Sequence, residues 1–288
     1  MPDGDRTLTT RVLQERILIL AWGSALLLHV AEPRIAQGVA EHSIFLSDPS
    51  RRMDRLLSTA DTMLKLLLGS PDDVGAAADR INGIHDRVHG RLREAHPLRL
   101  VDTSYSAHDA ELLAWVHVAL HVTLLRAFEA LVEPFTELER DRYCREVACV
   151  GPLLGIPERL LPGDAATLRA FFAAGLDQLS VGEQASQVAH GILYPPLPRW
   201  ARPVSGLARL WTVGFLPPRL RQAYGLPWTS RHAALFERSV HVSRRMLPLV
   251  PRRVRLVPPP LVVRWQHASM ATCAASPPVE LLRQSTMP

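Results

Sequence analysis

The stretch AELLAWVHVALHVTLLRAFEAL, inside a helix expected over about residues 109–132, most constrains what this chain can fold into. Leu113, Leu120, Leu124, Phe128 and Leu131 recur at helical spacing, and His117 falls in the same set. A helix this long and this apolar has to be covered by other elements. Those elements read as helices too. No segment alternates with period two except VRLVPPPLVVRW, whose prolines would spoil a ladder. A 47% hydrophobic chain with only 6% aromatics is Leu/Ala/Val-rich, which suits packed helices better than sheets. The expectation is an all-α, single-domain helical bundle.

Helix signals divide the rest. A helix is expected over 9–31, stopped by Pro33, and another over about 50–68 with Gly69 as a left-handed stop. Ser70-Pro71-Asp72-Asp73 then supplies an N-cap, a proline at N1 and acids in the first turn. The helix it opens is expected to run into the 90s. Thr136 and Glu139 form a capping box for a helix to about 149. Further helices are expected at 164–179, 204–213, 217–224 and 230–247. Residues 1–10 read as a disordered N-terminus, 11–250 as the folded unit and 251–288 as a Pro/Arg-rich extension.

Charge excludes more than it identifies. The net charge is +5, yet Lys65 is the only lysine, and acids are interspersed with the arginines along most of the chain. With no recognised motif beside it, this bias argues against nucleic acid as a partner. Three cysteines, Cys144, Cys149 and Cys273, have spacings that exclude a disulfide framework or a Cys-rich zinc module, and they fit a reducing compartment. The apolar run Ile17–Ala31 is short for a bilayer and lacks a basic leader or a cleavage site. No membrane span and a cytoplasmic location are expected.

Two HxxxH spacings carry the candidate chemistry. His85 and His89 lie in RINGIHDRVHG, with His85 inside the stripe Ile81, Ile84, Val88 and Leu92. His117 and His121 lie in the long apolar helix. Each pair would share a helical face, and two such helices could build a zinc or two-metal site. Neither pair carries the Glu of HExxH, and neither carries the Glu-x-x-His of di-iron bundles. A buried imidazole donating to a carbonyl needs no metal at all.

The blocks around these histidines resemble the family of bacterial rubber oxygenases (latex-clearing proteins) and the fungal oxygenase MpaB. The resemblance runs through LLLHVAEPRIAQGVAEHSIFLSDPSRRMDRLLSTADTMLKLLLG, RINGIHDRVHG, YSAHDAELLAWVHVAL, TELERDRYCREV and LLGIPERLLP. A weaker echo follows in LWTVGFLPPRLRQAYGLPW. It implies a helical domain holding haem b between its helices, with His85 as the iron ligand. It also implies a distal pair, Arg55 and Thr59, and Glu41 as a base. Ser58 stands where rubber oxygenases carry a lysine, and His117 falls in a WVH block that packs against or lines the haem site. No CxxCH occurs, so the haem would be held without covalent links. The implied activity is oxygenation of an apolar, unsaturated, isoprenoid- or lipid-like small substrate by dioxygen. A non-catalytic haem or lipid binder and a His-pair metallohydrolase are the alternatives.

Overall fold

The computed structural model describes residues 7–48, 51–93, 101–197 and 202–257. They form helices α1 (Leu8–Leu13), α2 (Trp22–Val30), α3 (Pro33–His42), α4 (Ile44–Ser47), α5 (Arg52–Leu68) and α6 (Pro71–His85). A short antiparallel pair follows, β1 (His89–Arg91) and β2 (Ser104–Ser106), with Gly90 opposite Tyr105. The chain continues through α7 (Ala110–Leu131), α8 (Glu137–Ala148), α9 (Ala165–Leu176), α10 (Glu183–Leu193), α11 (Arg202–Phe215), α12 (Pro218–Ala223), α13 (Ser230–Met246) and α14 (Arg252–Arg255). The fold is all-α, and among the described residues β1 and β2 make the one sheet.

The long helix α7 is the axis of this arrangement. It packs against α1, α2, α9, α11 and α13. By length and composition it could cross a membrane, but 83% of its apolar window is buried by the rest of the protein. Its start is set by Asp109, whose carboxylate accepts from the amides of Glu111 and Leu112 at 2.9 and 3.3 Å. Leu124, Phe128 and Leu131 meet α1 and α5 in one apolar cluster, and Trp115, Val118 and Val122 meet α2 and α9 in another.

The expected capping box at Thr136 forms, and the expected N-cap at Ser70 closes into one as well. Ser70 Oγ accepts from Asp73 N while Asp73 accepts from Ser70 N, and Thr136 and Glu139 repeat the exchange. Three expectations are corrected. The helix expected over 9–31 is broken into α1, a 3-10 turn (Arg16–Ala21) and α2. Pro33 opens α3 instead of only closing what precedes it, because Glu32 caps the new helix and proline fits its first position. Gly69 is extended, at φ −70°, and a methyl there would sit 2.4 Å from the Lys65 carbonyl oxygen. Close approach therefore demands the glycine at this position.

The chain ends also differ from expectation. Residues 7–10, expected to be disordered, are buried, and Thr9 donates to Glu146 from its amide and its hydroxyl. The extension expected from residue 251 begins within the fold. Arg255 grips the Glu15 carboxylate with two bonds of 2.8 and 2.6 Å across 240 residues of sequence. Val257 N donates to Gln14 O at 2.8 Å, and Arg16 donates to Leu256 O at 2.9 Å. The rest of that extension, including most of VRLVPPPLVVRW, lies outside the described residues.

Glu15 is only 4% exposed, so removing its partner leaves a carboxylate stranded out of water. Arg255→Ala should cost about 3 kcal/mol in a denaturant titration, with Glu15→Gln added on top recovering part of that loss. Equal stability of wild type and Arg255→Ala would show that this clip holds nothing.

Candidate active site

One cavity is lined by two of the residues singled out in the sequence, His85 and Arg55. It encloses about 210 Å³ between α3, α5, the end of α6, β2 and the first turns of α7. Ile84, Val88, Leu113 and Val116 make its apolar walls, and His85, Arg55, His42 and Tyr105 bring polar groups to it.

His85 is the last residue of α6, and the chain turns away at Asp86 toward β1. Its Nδ1 is buried and has no hydrogen-bond partner. Burial lowers the imidazole's affinity for a proton, the neighbouring His108 lowers it further, and Asp86 opposes both. A neutral imidazole with a lone pair to offer is the outcome. His108 stands edge-on to it, ring centres 5.8 Å apart, and is itself bonded to Asp86 at 2.8 Å.

Arg55 comes from α5. Burial and the charge of Arg80 both work against its proton, so this guanidinium is a poorly solvated cation. Thr59 does not line the cavity. Its hydroxyl accepts from Arg55 and donates to the Arg55 carbonyl at 2.8 Å, which fixes the guanidinium one turn away. Ser58 does not line it either, since its hydroxyl accepts from Arg80 at 3.2 Å.

Glu41 lies behind the cavity wall. Tyr105 donates to its carboxylate at 2.5 Å, and Arg93 pairs with it at 2.6 Å. Burial would raise the Glu41 carboxyl, but the bonds from Tyr105 and Gln37 and the charge of Arg93 outweigh it and hold it low. Tyr105, buried and lining the cavity, is therefore the group through which Glu41 faces the interior. Its hydroxyl also lies 3.4 Å from His42 Nε2. The ring is seated by Gly90, where a methyl would come within 2.8 Å of the hydroxyl oxygen. Sequence reasoning missed Tyr105 and His42. The glycine opposite an aromatic in a turn-rich stretch was the one available signal.

The remaining histidines separate. His89 is exposed on β1 and is off the helix altogether, so the first pair never shares a helical face. His117, expected to pack against or line the haem site, does not line the cavity. Val116 does so, because the next residue along a helix points about 100° away. His117 instead packs on His121, ring centres 4.5 Å apart, and His121 Nδ1 shares a 2.9 Å hydrogen bond with the buried Tyr143 hydroxyl. Among the described residues no three His, Cys, Asp or Glu side chains converge as a metal-ion ligand set.

A haem needs one axial donor, apolar walls and an interior shielded from water. The partnerless His85 nitrogen and the Ile/Val/Leu walls match that demand. The volume does not match as it stands. Ligand pockets usually enclose about 300–1,000 Å³, so the walls would have to part to admit a macrocycle.

Comparison with known proteins agrees with the fold. The catalytic-domain profile described as ER-bound oxygenase mpaB/B'/Rubber oxygenase matches residues 9–245. Two relatives, uncharacterized proteins of Mycobacterium bovis and Mycobacterium tuberculosis, are each 25% identical over 231 residues, covering 79% of this chain and 88% of theirs. No solved structure matches the chain.

The buried pair gives a pH signature. Desolvation depresses His117 to about 4 and His121 well below its ordinary value, the latter also through His117. The folded state then binds fewer protons than the unfolded one. The stability each group contributes is complete above pH 6.5 and is lost as pH falls toward the folded value. His117→Gln should therefore flatten the fall in stability between pH 6.5 and about 4 by roughly one proton, about 1.4 kcal/mol per pH unit. Denaturant titrations across that range check it, and an unchanged slope would mean that His117 is charged or hydrated in the native protein.

Proposed function

Because the chain belongs to the family of the ER-bound oxygenase mpaB and rubber oxygenase catalytic domains, we propose that it is a haem b-dependent oxygenase of apolar, unsaturated substrates. Oxygenase chemistry follows from the family. The choice of haem rests on one observation, the buried, partnerless Nδ1 of His85 in an apolar cavity that Arg55 also faces. Haem, when bound, supplies the one-electron and dioxygen chemistry that side chains alone lack.

The residues divide the remaining work. His85 would hold the iron, and its low proton affinity keeps the imidazole available as a ligand. Arg55, fixed by Thr59, brings a cation to a cavity with apolar walls, where it would stabilise negative charge developing on dioxygen. Ile84, Val88, Leu113 and Val116 would hold the alkene. Tyr105 and Glu41 form a proton-accepting couple at the wall, with the hydroxyl proton directed at the carboxylate. Ser58 has no part in capping the iron, since it is held by Arg80. The substrate is a small apolar molecule that fits between helices.

The absorption spectrum of the purified protein tests this reading. Wild type should show a Soret band with about one haem per chain. His85→Ala should lose it, while His117→Ala, altered away from the cavity, should keep it. Retention of haem by His85→Ala would overturn the ligand assignment. Arg55→Ala should keep haem and lose roughly 10²-fold in turnover, the scale of one lost charge-stabilising donor.

A further inference from the structure

The positive charge of this chain is segregated. Between Glu183 and Glu280 the sequence holds thirteen arginines and one acid, Glu237. Helix α13 carries several of these arginines to the surface. Its inner side is fixed to the core, where Phe236 and Val240 pack on the cluster that holds Leu124 and Phe128, and Ser239 accepts from Trp211 Nε1 at 2.9 Å. Gly214 lets α11 close on Phe236, since a methyl there would fall 2.3 Å from the ring. The side that α13 turns to solvent is therefore set.

That outer side carries one repeating line. Arg231, Arg238 and Arg245 recur every seventh residue, and Leu235, Val242 and Leu249 recur every seventh residue between them. Steps of four and three residues return to nearly the same direction on a helix, here opposite Phe236 and Val240. The three arginines are exposed, and the aliphatic three are 46%, 49% and 73% exposed, with Leu249 in the 3-10 turn that follows α13. Among the described residues no carboxylate pairs with these arginines. Helix electrostatics account for only part of the pattern. Arg245 sits in the last turn, where a cation is favoured, but Arg231 sits in the first, where the helix dipole opposes it.

Two kinds of partner use such a line poorly. A nucleic acid needs the guanidiniums but gains little from aliphatic groups standing between them. A protein interface gathers its apolar residues into a core inside a polar rim, whereas here arginine and aliphatic side chains alternate along the whole line. A bilayer surface with anionic lipid uses both. Its phosphates accept from the guanidiniums, and the aliphatic side chains enter the boundary between headgroups and acyl chains.

We propose that the outer face of α13, with the turn that follows it, docks this protein onto an anionic lipid surface. Arg231, Arg238 and Arg245 meet the lipid phosphates, and Leu235, Val242 and Leu249 enter the acyl boundary. The inference stands apart from the oxygenase reading and needs no haem.

The test is pelleting of the full-length protein with vesicles of phosphatidylcholine alone and of phosphatidylcholine mixed equally with phosphatidylglycerol. Wild type should pellet with the mixed vesicles and stay in solution with the neutral ones. Replacing Arg231, Arg238 and Arg245 together by Gln should weaken binding about 10²-fold, at roughly fivefold for each cation lost near the surface. Replacing Leu235, Val242 and Leu249 together by Gln leaves the charge untouched and should also weaken binding about 10²-fold. All six positions are exposed and Gln is a good helix former, so circular dichroism should match wild type. Arg238→Gln and Leu249→Gln singly, each with a loss of about fivefold, serve should a triple variant fail to fold. Equal pelleting with neutral vesicles, or an aliphatic-to-Gln variant that binds like wild type, overturns the proposal. Retention of duplex DNA with no vesicle binding overturns it too, and gives the face to a polyanion.

Discussion

Hiding one twenty-two-residue helix from water is the demand that organises this protein. Almost every face of α7 is apolar, so no two-layer arrangement can cover it, and α1, α2, α9, α11 and α13 are laid around it as a sleeve. Two of the buried polar groups on α7 find hydrogen-bond partners inside the sleeve. Thr123 donates to the Ala119 carbonyl at 2.7 Å, and His121 meets Tyr143. The first turns of α7 emerge from the sleeve, and there its side chains become cavity walls. Leu113 and Val116 serve the cavity beside His85, Trp115 a second cavity, and Leu112 both.

The Glu32–Arg34–Asp109 bridge turns that exposed end into a defined geometry. Glu32 caps α3 and Asp109 caps α7, so a single guanidinium ties the N-termini of two helices together. Acids at helix N-termini are stabilised by the helix dipoles, and the arginine offsets their mutual repulsion. The same three side chains therefore join the starts of two helices, and Arg34 lines the cavities on both sides.

The fold was legible because its signals are local. The N-cap at Ser70, the capping box at Thr136 and the spacing of Leu113, Leu120, Leu124, Phe128 and Leu131 need only a few neighbouring residues to be read. The breaks near Arg16 and Pro33 were not legible, because proline reads equally as the end of one helix and the first residue of another. For the site, His85 and Arg55, two of the residues that the resemblance singles out, line the cavity. Tyr105 reaches it through strand pairing opposite Gly90, and Arg34 through an ion pair to Asp109 75 residues away, relations that helical spacing cannot carry. Which of the two expected roles His117 takes, packing or pocket lining, was not legible for a related reason. Periodicity gives the face of a helix but not its neighbour, and on α7 every face has one.

The clip between Glu15 and Arg255 joins residues 240 positions apart, and it therefore sets an order of events during synthesis. A ribosome adding roughly 5–20 residues per second leaves Glu15 without its partner for tens of seconds. During that time the sleeve around α7 can assemble, but the N-terminal turn cannot lock. Completion of the native state is thereby postponed until nearly the whole chain has emerged, and truncation shortly before Arg255 would yield a product that is mostly folded yet never closed.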